Sequence, residues 1–256
     1  MAWAVVTGAS SGIGRDIAKI LSRKGYDLVL VARRSEKLEE LRGVLSTNVE
    51  IICMDLAISE NCYSLFDRCK NKDVEILVNN AGFGLFGEFC NTELDTELKM
   101  IDLNVKSLHI LMKLFLMEFN KKNKGRILNV ASAAGFMPAG PCISTYYGTK
   151  AYVLNHTRGV AKELKKAGSS VTVSALCPGP VKTEFNDVAG CEFGMVGMDC
   201  EKVAEIAVDG MMKGKLVIVP GAMVKVGRFL IRLLPDCALA EVAYRFQRGK
   251  RTKKEE

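Results

Sequence analysis

A three-layer α/β sandwich, with helices doubly wound over both faces of a seven-stranded parallel sheet, is the fold class this sequence predicts. Three observations carry it. Short runs rich in Val, Ile and Leu recur along the 256 residues. Within each run the apolar character is nearly continuous instead of alternating, as in strands covered on both faces. Between the runs lie longer stretches of helical period, and parallel neighbours need right-handed crossovers that put those helices on both faces.

The expected strands are "WAVVT" (3–7), "DLVLVA" (27–32), "VEIICM" (49–54), "EILVN" (75–79), "GRILNVA" (125–131), "SVTVSAL" (170–176) and "KLVIVP" (215–220). Helical period fills 12–24, 35–46, 58–70, 92–120, 146–167 and 200–212. No Pro/Gly/Ser-rich linker and no internal repeat interrupts the alternation, so a single domain over 1–256 is expected. Residues 184–200, "EFNDVAGCEFGMVGMDC", lack clear period and mix glycine with Phe185, Phe193, Met195 and Met198. A loop that long in a compact domain is usually functional, and it is read as a substrate loop. Residues 221–256 form a C-terminal extension.

Composition excludes several classes. No apolar run reaches the length of a bilayer span, since "LHILMKLFLMEF" (108–119) is cut by Lys113. "MAWAVVTG" lacks the basic start and apolar segment of a secretory signal, so a cytoplasmic chain is expected. Nine scattered cysteines, none spaced as CxxC, suit reduced thiols better than disulfides or a zinc site. His109 and His156 sit apart in helix-like segments, and no metal site is expected. Part of the +7 net charge belongs to the terminal "QRGKRTKKEE", and no basic motif is interleaved with aromatics, which argues against nucleic acid.

"TGASSGIG" (7–14) follows the first strand and opens the first helix. Glycines at 8, 12 and 14 permit a tight turn and close backbone approach to a pyrophosphate, while the helix N-terminus supplies N–H groups and positive potential. At the end of the second strand an NAD-selecting site would carry an acid for the ribose hydroxyls. Ala32 stands there, followed by Arg33 and Arg34, whose planar donors suit a ribose 2′-phosphate. Further on, "TYYGTKAYV" (145–153) places Tyr146 and Tyr147 four and three residues before Lys150. On a helix both can share a face with the ammonium, and spacing alone does not choose between them.

TGxxxGxG is joined in order by "NNAG" (79–82), "LNV" (103–105), "NVASAAG" (129–135), "YYGTK" (146–150) and "PGPVKTEF" (178–185). Together these motifs resemble the short-chain dehydrogenase/reductase family over residues 2–220. "ARRSEKLEEL" and "YYGTKAYVL" are similar to its NADP(H)-preferring bacterial-type members. The resemblance implies a Rossmann-like fold and an NADP(H)-dependent oxidoreductase interconverting a carbonyl and its alcohol. It selects Tyr146 as acid/base, with Lys150 lowering its pKa and binding the nicotinamide ribose. Ser132 would hold the substrate oxygen, Asn104 would hold a water on the proton path, and Tyr147 would be packing or a subunit contact. Cofactor contacts would fall on Gly8, Ser10, Ser11, Gly12, Ile13 and Gly14, on Tyr146 and Lys150, then on Arg33 in preference to Arg34. Asp55 and Leu56 would lie near the adenine, and Asn80, Ala81 and Gly82 by the ribose. Pro178, Gly179, Val181 and Thr183 would line the nicotinamide and its phosphate. Asn79 would tie strands together.

The chain departs from the family pattern in one place: Ser132 lies fourteen residues before Tyr146, where thirteen is expected. Phe83, Phe86, Phe136, Met137 and the 184–200 segment imply an apolar pocket for a hydrophobic ketone or aldehyde. The family usually forms homodimers or homotetramers, and helices 92–120 and 146–167 would supply the contact. Residues 222–249 read as a basic amphipathic stretch, expected to pack over the cleft or in a dimer, with peripheral membrane contact as the alternative. Two other functions stay in view: a cofactor-sensing regulator without turnover, and a specialised β-ketoacyl or hydroxysteroid reductase.

Overall fold

In the computed structural model, residues 1–185, 189 and 197–248 are described. Seven parallel strands, β1 Trp3–Thr7, β2 Asp27–Ala32, β3 Val49–Cys53, β4 Val74–Asn79, β5 Arg126–Val130, β6 Thr172–Leu176 and β7 Val217–Ile218, pair in the order β3-β2-β1-β4-β5-β6-β7. The chain winds outward from β1 to β3, then returns to place β4 on the other flank of β1. That reversal opens a crevice beyond the carboxyl ends of β1 and β4, where open α/β sheets bind ligands.

Successive strand residues face opposite layers. Val5 belongs to the core beneath α3 Ser59–Cys69, α5 Leu108–Lys122 and α6 Ser144–Lys166, where Leu65, Phe115, Phe119 and Val153 are buried. Ala4 and Val6 belong to the opposite core, with Ile17 and Leu21 of α1 Gly12–Arg23, Leu38 of α2 Ser35–Arg42, and Val203 and Ala207 of α7 Cys200–Met212. Burial on both faces explains the near-continuous apolar runs.

The polar residues at the strand ends fix the crevice. Thr7 Oγ1 donates to Val78 O at 3.1 Å and accepts from the backbone N–H groups of Asn80 (2.9 Å) and Ala81 (3.1 Å). Asn79 Nδ2 donates to Asn129 Oδ1 across the β4–β5 pair at 2.9 Å, so Asn79 does tie strands together. Asn129 in turn donates to Thr157 Oγ1 of α6 at 3.0 Å.

Three elements differ from the periodicity. The stretch expected as one helix over 92–120 is α4 Leu94–Ile101 and α5, joined by a π turn at Asp102–Ser107. A π turn shifts the hydrogen-bond register by one residue and leaves no periodic mark in the sequence. His109 and His156, far apart in the chain, stack at 5.0 Å between centroids where α5 meets α6. The C-terminal extension folds as α8 Ala222–Leu230 and α9 Asp236–Arg248. Leu239, Ala243 and Gln247 of α9 are buried, whereas α8 buries none of its residues. Packing over the cleft therefore holds for α9, whereas α8 touches its edge through Val224, which lies against Gly179.

Among the described residues no helix is long and apolar enough to cross a membrane. Phe193, Met195 and Cys191 of the expected substrate loop, and most of the terminal basic run, lie outside the described residues.

Candidate active site

The crevice continues into a cleft of about 550 Å³. Its floor at one end is the turn between β1 and α1. Gly8 and Gly12 have φ of +65° and +55°, in the left-handed region that favours glycine. A Cβ on Gly8 would stand 2.9 Å from Ala81 Cα and 2.8 Å from Asn80 Nδ2, so a side chain there would force the turn away from the β4 end. Gly14 does not reach the cleft: its Cα packs on Gly8 O and the Asn80 amide, letting α1 start tight against the strand. Asn80 Nδ2 donates to Thr7 O and Gly8 O at 3.0 and 3.1 Å, which locks the turn. α1 begins with no acidic residue in its first turn, and Ser10, Ser11 and Ile13 line the cleft beside it. A glycine turn without side chains, facing a helix N-terminus, fits the pyrophosphate of a dinucleotide.

Ala32, Arg33 and Arg34 line the same end with Asp55 and Leu56. Arg33 is exposed, its Nη1 3.9 Å from Asp55 Oδ2. Arg34 Nη2 donates to Ser10 Oγ at 3.2 Å and to Glu184 Oε2 at 2.9 Å. The Arg34 guanidinium holds the Glu184 carboxyl below its usual range. Sequence reasoning favoured Arg33; Arg34 is the one already laid against the glycine turn.

At the other end β5 delivers Ser132 and α6 delivers Tyr146 and Lys150. Ser132, in extended backbone, accepts from Ala134 N at 3.1 Å and starts a 3₁₀ turn over Ala133–Phe136. Its hydroxyl also hydrogen-bonds the Tyr146 phenol. The loop before α6 includes Cys142 at φ +62°, and Ser132 and Tyr146 stay in contact despite the longer spacing.

Lys150 Nζ donates to Val130 O at 2.9 Å and lies 5.7 Å from the Tyr146 ring centroid. Both groups are buried, with consequences opposite to the sequence expectation. Burial pushes the Tyr146 phenol up to about 12, against a lowering contribution from the Ser132 hydrogen bond. Burial brings the Lys150 ammonium down to about 8. The expectation that Lys150 lowers the phenol is corrected: burial outweighs the one lowering contribution, which comes from Ser132, and the ammonium's hydrogen bond goes to a carbonyl.

Asn104, in the π turn, is buried and does not line the cleft. Its Nδ2 donates to Phe83 O (2.9 Å) and Thr149 Oγ1 (3.2 Å), and its Oδ1 accepts from Phe83 N (3.0 Å). Its amide therefore clamps the Gly82–Phe83 backbone that forms the cleft wall, with both N–H donors used.

Asn80, Ala81, Gly82, Pro178, Gly179, Val181 and Thr183 all line the cleft. Of the expected apolar wall, Phe83 is present and Phe86 packs in the small cluster around Tyr146. Phe136 and Met137 are not part of it: they line a separate groove, with the Arg228 guanidinium 5.0 Å from the Phe136 centroid. Phe185, expected in the substrate loop, supplies wall with its ring 5.5 Å from that of Tyr146. Two further residues were missed. Tyr147, expected as packing or a subunit contact, lines the cleft and receives a 3.0 Å hydrogen bond from Gln247 Nε2 of α9. Nothing local in the sequence marks Gln247, whose partner lies a hundred residues earlier.

Comparison with known proteins agrees with this geometry. The family described as short chain dehydrogenase matches residues 2–190. An uncharacterised oxidoreductase of Staphylococcus epidermidis is 36% identical over 194 residues, covering 75% of this chain and 82% of that protein. A short-chain dehydrogenase from Sphingobium yanoikuyae in complex with NADPH superposes with a TM-score of 0.80 at 29% identity, covering 92% of this chain and 97% of that one. The bulky-bulky ketone specific alcohol dehydrogenase from Comamonas testosteroni gives 0.77 at 28% identity, covering 91% and 92%.

Proposed function

Because the chain belongs to the short-chain dehydrogenase family and is an oxidoreductase of alcohol and carbonyl groups, we propose that it reduces a hydrophobic ketone or aldehyde with NADPH, Tyr146 giving the proton. One observation carries the reading. A buried phenol, hydrogen-bonded to the Ser132 hydroxyl and one helical turn from Lys150, closes a cleft whose far end is the glycine turn.

When bound, the reduced nicotinamide supplies the hydride. The chain's own residues do the rest. Ser132 and Tyr146 offer two hydroxyls to one carbonyl oxygen and so orient it and stabilise the charge it gains. With its pKa raised to about 12, the Tyr146 phenol is protonated at neutral pH and is poised as an acid. Lys150, still charged below about 8, offsets the phenolate left behind and presents N–H donors toward the ribose. Gly8 to Ile13 receive the pyrophosphate, and Asn80 to Gly82 pass along the ribose. Leu103, Ile143, Phe83 and Phe185 give the cleft the apolar surface that suits a hydrophobic substrate. Retention of Asn104, Ser132, Tyr146 and Lys150 together weighs against a cofactor sensor without turnover.

Arg33 and Arg34 support NADP(H) over NAD(H). No acid occupies position 32, and two guanidinium groups border the ribose end of the cleft. Turnover with NADPH and NADH across keto-steroids, β-ketoacyl thioesters, aldehydes and diketones tests both cofactor and substrate. Replacing Arg33 and Arg34 together by alanine is expected to weaken NADPH binding about 100-fold, each guanidinium being worth roughly one charge-assisted hydrogen bond. NADH binding should change less than about threefold by that account. Equal losses for the two cofactors would remove the 2′-phosphate assignment.

A further inference from the structure

Resting on the reductase reading, one feature of the substrate is written in the wall opposite the glycine turn. Gln247 is 2% exposed and lines the cleft. One N–H of its Nε2 goes to Tyr147, while its Oε1 is buried with no hydrogen-bond partner among the described residues. Buried amide oxygens are almost always paired, so this one points to a group that arrives with a ligand. Tyr147 Oη accepts from Gln247 and still has its own proton to give. The pair therefore offers an acceptor, Oε1, beside donors from the phenol and the second amide N–H.

That conclusion does not depend on how the amide is turned. With Oε1 toward Tyr147, the phenol donates to it; both amide N–H groups then become free donors and the phenolic lone pair the free acceptor. Either way an acceptor stands beside at least one donor. A single substrate atom that answers both is a hydroxyl oxygen. A carboxylate has no proton for the acceptor, an ammonium has no lone pair for the donor, and a hydrocarbon leaves both unpaired. We infer that the substrate is an apolar hydroxyketone, its second oxygen held as a hydroxyl by Gln247 and Tyr147. The Tyr147 ring lies 6.4 Å from that of Tyr146 and both line the cleft, so one ligand can reach both.

The experiment compares keto-steroids with their deoxy analogues, using wild type, Gln247→Leu and Tyr147→Phe. Both kcat/KM and the dissociation constant in the presence of NADP⁺ are measured. A site built around a hydroxyl discriminates strongly against the analogue lacking it. Wild type should favour at least one hydroxylated ketone by tenfold or more in both quantities, and each substitution should bring the ratio within about threefold. Indifference of wild type to every hydroxyl, or a ratio unmoved by both substitutions, would overturn the inference. A binding preference without turnover of any ketone would uphold it and fault the reductase reading instead.

A different observation concerns α8 and the turn after it. Met223, Val226, Phe229, Leu230, Leu233 and Leu234 are all exposed, Met223 and Leu233 by 74% and 67%, within twelve residues. A patch of this kind on a soluble fold marks an interaction surface. Residues 222–256 carry nine Lys and Arg against four Asp and Glu, so they hold +5 of the chain's +7. Two copies of so basic a segment repel one another, whereas an anionic lipid surface attracts the charge and takes up the apolar face. We propose that α8 rests on an anionic membrane. Val224 beside Gly179 would then set the cleft next to the lipid.

Co-sedimentation of the full chain with phosphatidylglycerol and with phosphatidylcholine vesicles tests this, alongside a variant carrying Met223→Ser, Phe229→Ser and Leu233→Ser. Binding to the anionic vesicles alone, weakened by salt and at least tenfold weaker in the variant, is the expected result. Failure of the wild type to bind either vesicle would overturn it, as would a self-associated form that the same substitutions dissociate.

Discussion

Tyr146→Phe is expected to lower kcat for every ketone the protein reduces by roughly 10²- to 10⁴-fold, the range carried by a positioned proton donor. NADPH affinity should stay within about threefold, because the lost hydroxyl serves the substrate oxygen rather than the cofactor. The substitution removes one oxygen from a buried ring that Phe185 packs at 5.5 Å, so the ring's packing is retained. Steady-state turnover with fluorescence titration of NADPH separates the two effects. A variant that keeps more than about a tenth of wild-type kcat would show that the proton comes from elsewhere.

Lys150→Met should have an effect of similar size on kcat, and it has a second signature. In the wild type, reduction should decline as pH rises through about 8, where the buried ammonium loses its charge. The variant should lack that limb. Stability moves the other way. The folded pKa of Lys150 lies below its usual 10.5, so below about 8 the folded state carries the full cost of a buried cation. Between about 8 and 10.5 the unfolded chain binds more protons than the folded one, and that cost disappears as pH rises. Lys150→Met should therefore have a Tm at pH 7 no lower than wild type, and its advantage should shrink toward pH 10.5. Loss of activity with no loss of stability at pH 7 distinguishes a functional lysine from a structural one. A large drop in Tm would favour the structural role, through the 2.9 Å bond to Val130 O.

The legibility of this molecule follows what each kind of signal can encode. β1 to β6 were readable because burial on both faces forces apolar runs, and their order follows from right-handed crossovers. β7 is only Val217–Ile218, shorter than its apolar run, because β6 offers it just two partners at the sheet edge. The π turn around Asn104 was invisible, since a one-residue change of register alters no composition. At the site, the glycine turn and the Ser132, Tyr146 and Lys150 set came from ordered motifs, and the structure brings them to one cleft. The direction of the Tyr146 shift did not, because a sequence shows which groups are neighbours but not how far water is excluded from them. Phe136 and Met137 were misassigned for a related reason: the 3₁₀ turn after Ser132 carries them away from the cleft. Gln247 was out of reach altogether, its meaning supplied by α9 folding back onto Tyr147.

The most direct test is a crystal structure of the full chain with NADP⁺ and an alcohol product bound. The account predicts the alcohol oxygen within about 2.6–3.2 Å of both Tyr146 Oη and Ser132 Oγ, with Lys150 Nζ directed to the ribose. An alcohol oxygen bound away from both hydroxyls, with the Tyr146 phenol turned out of the cleft, would contradict it.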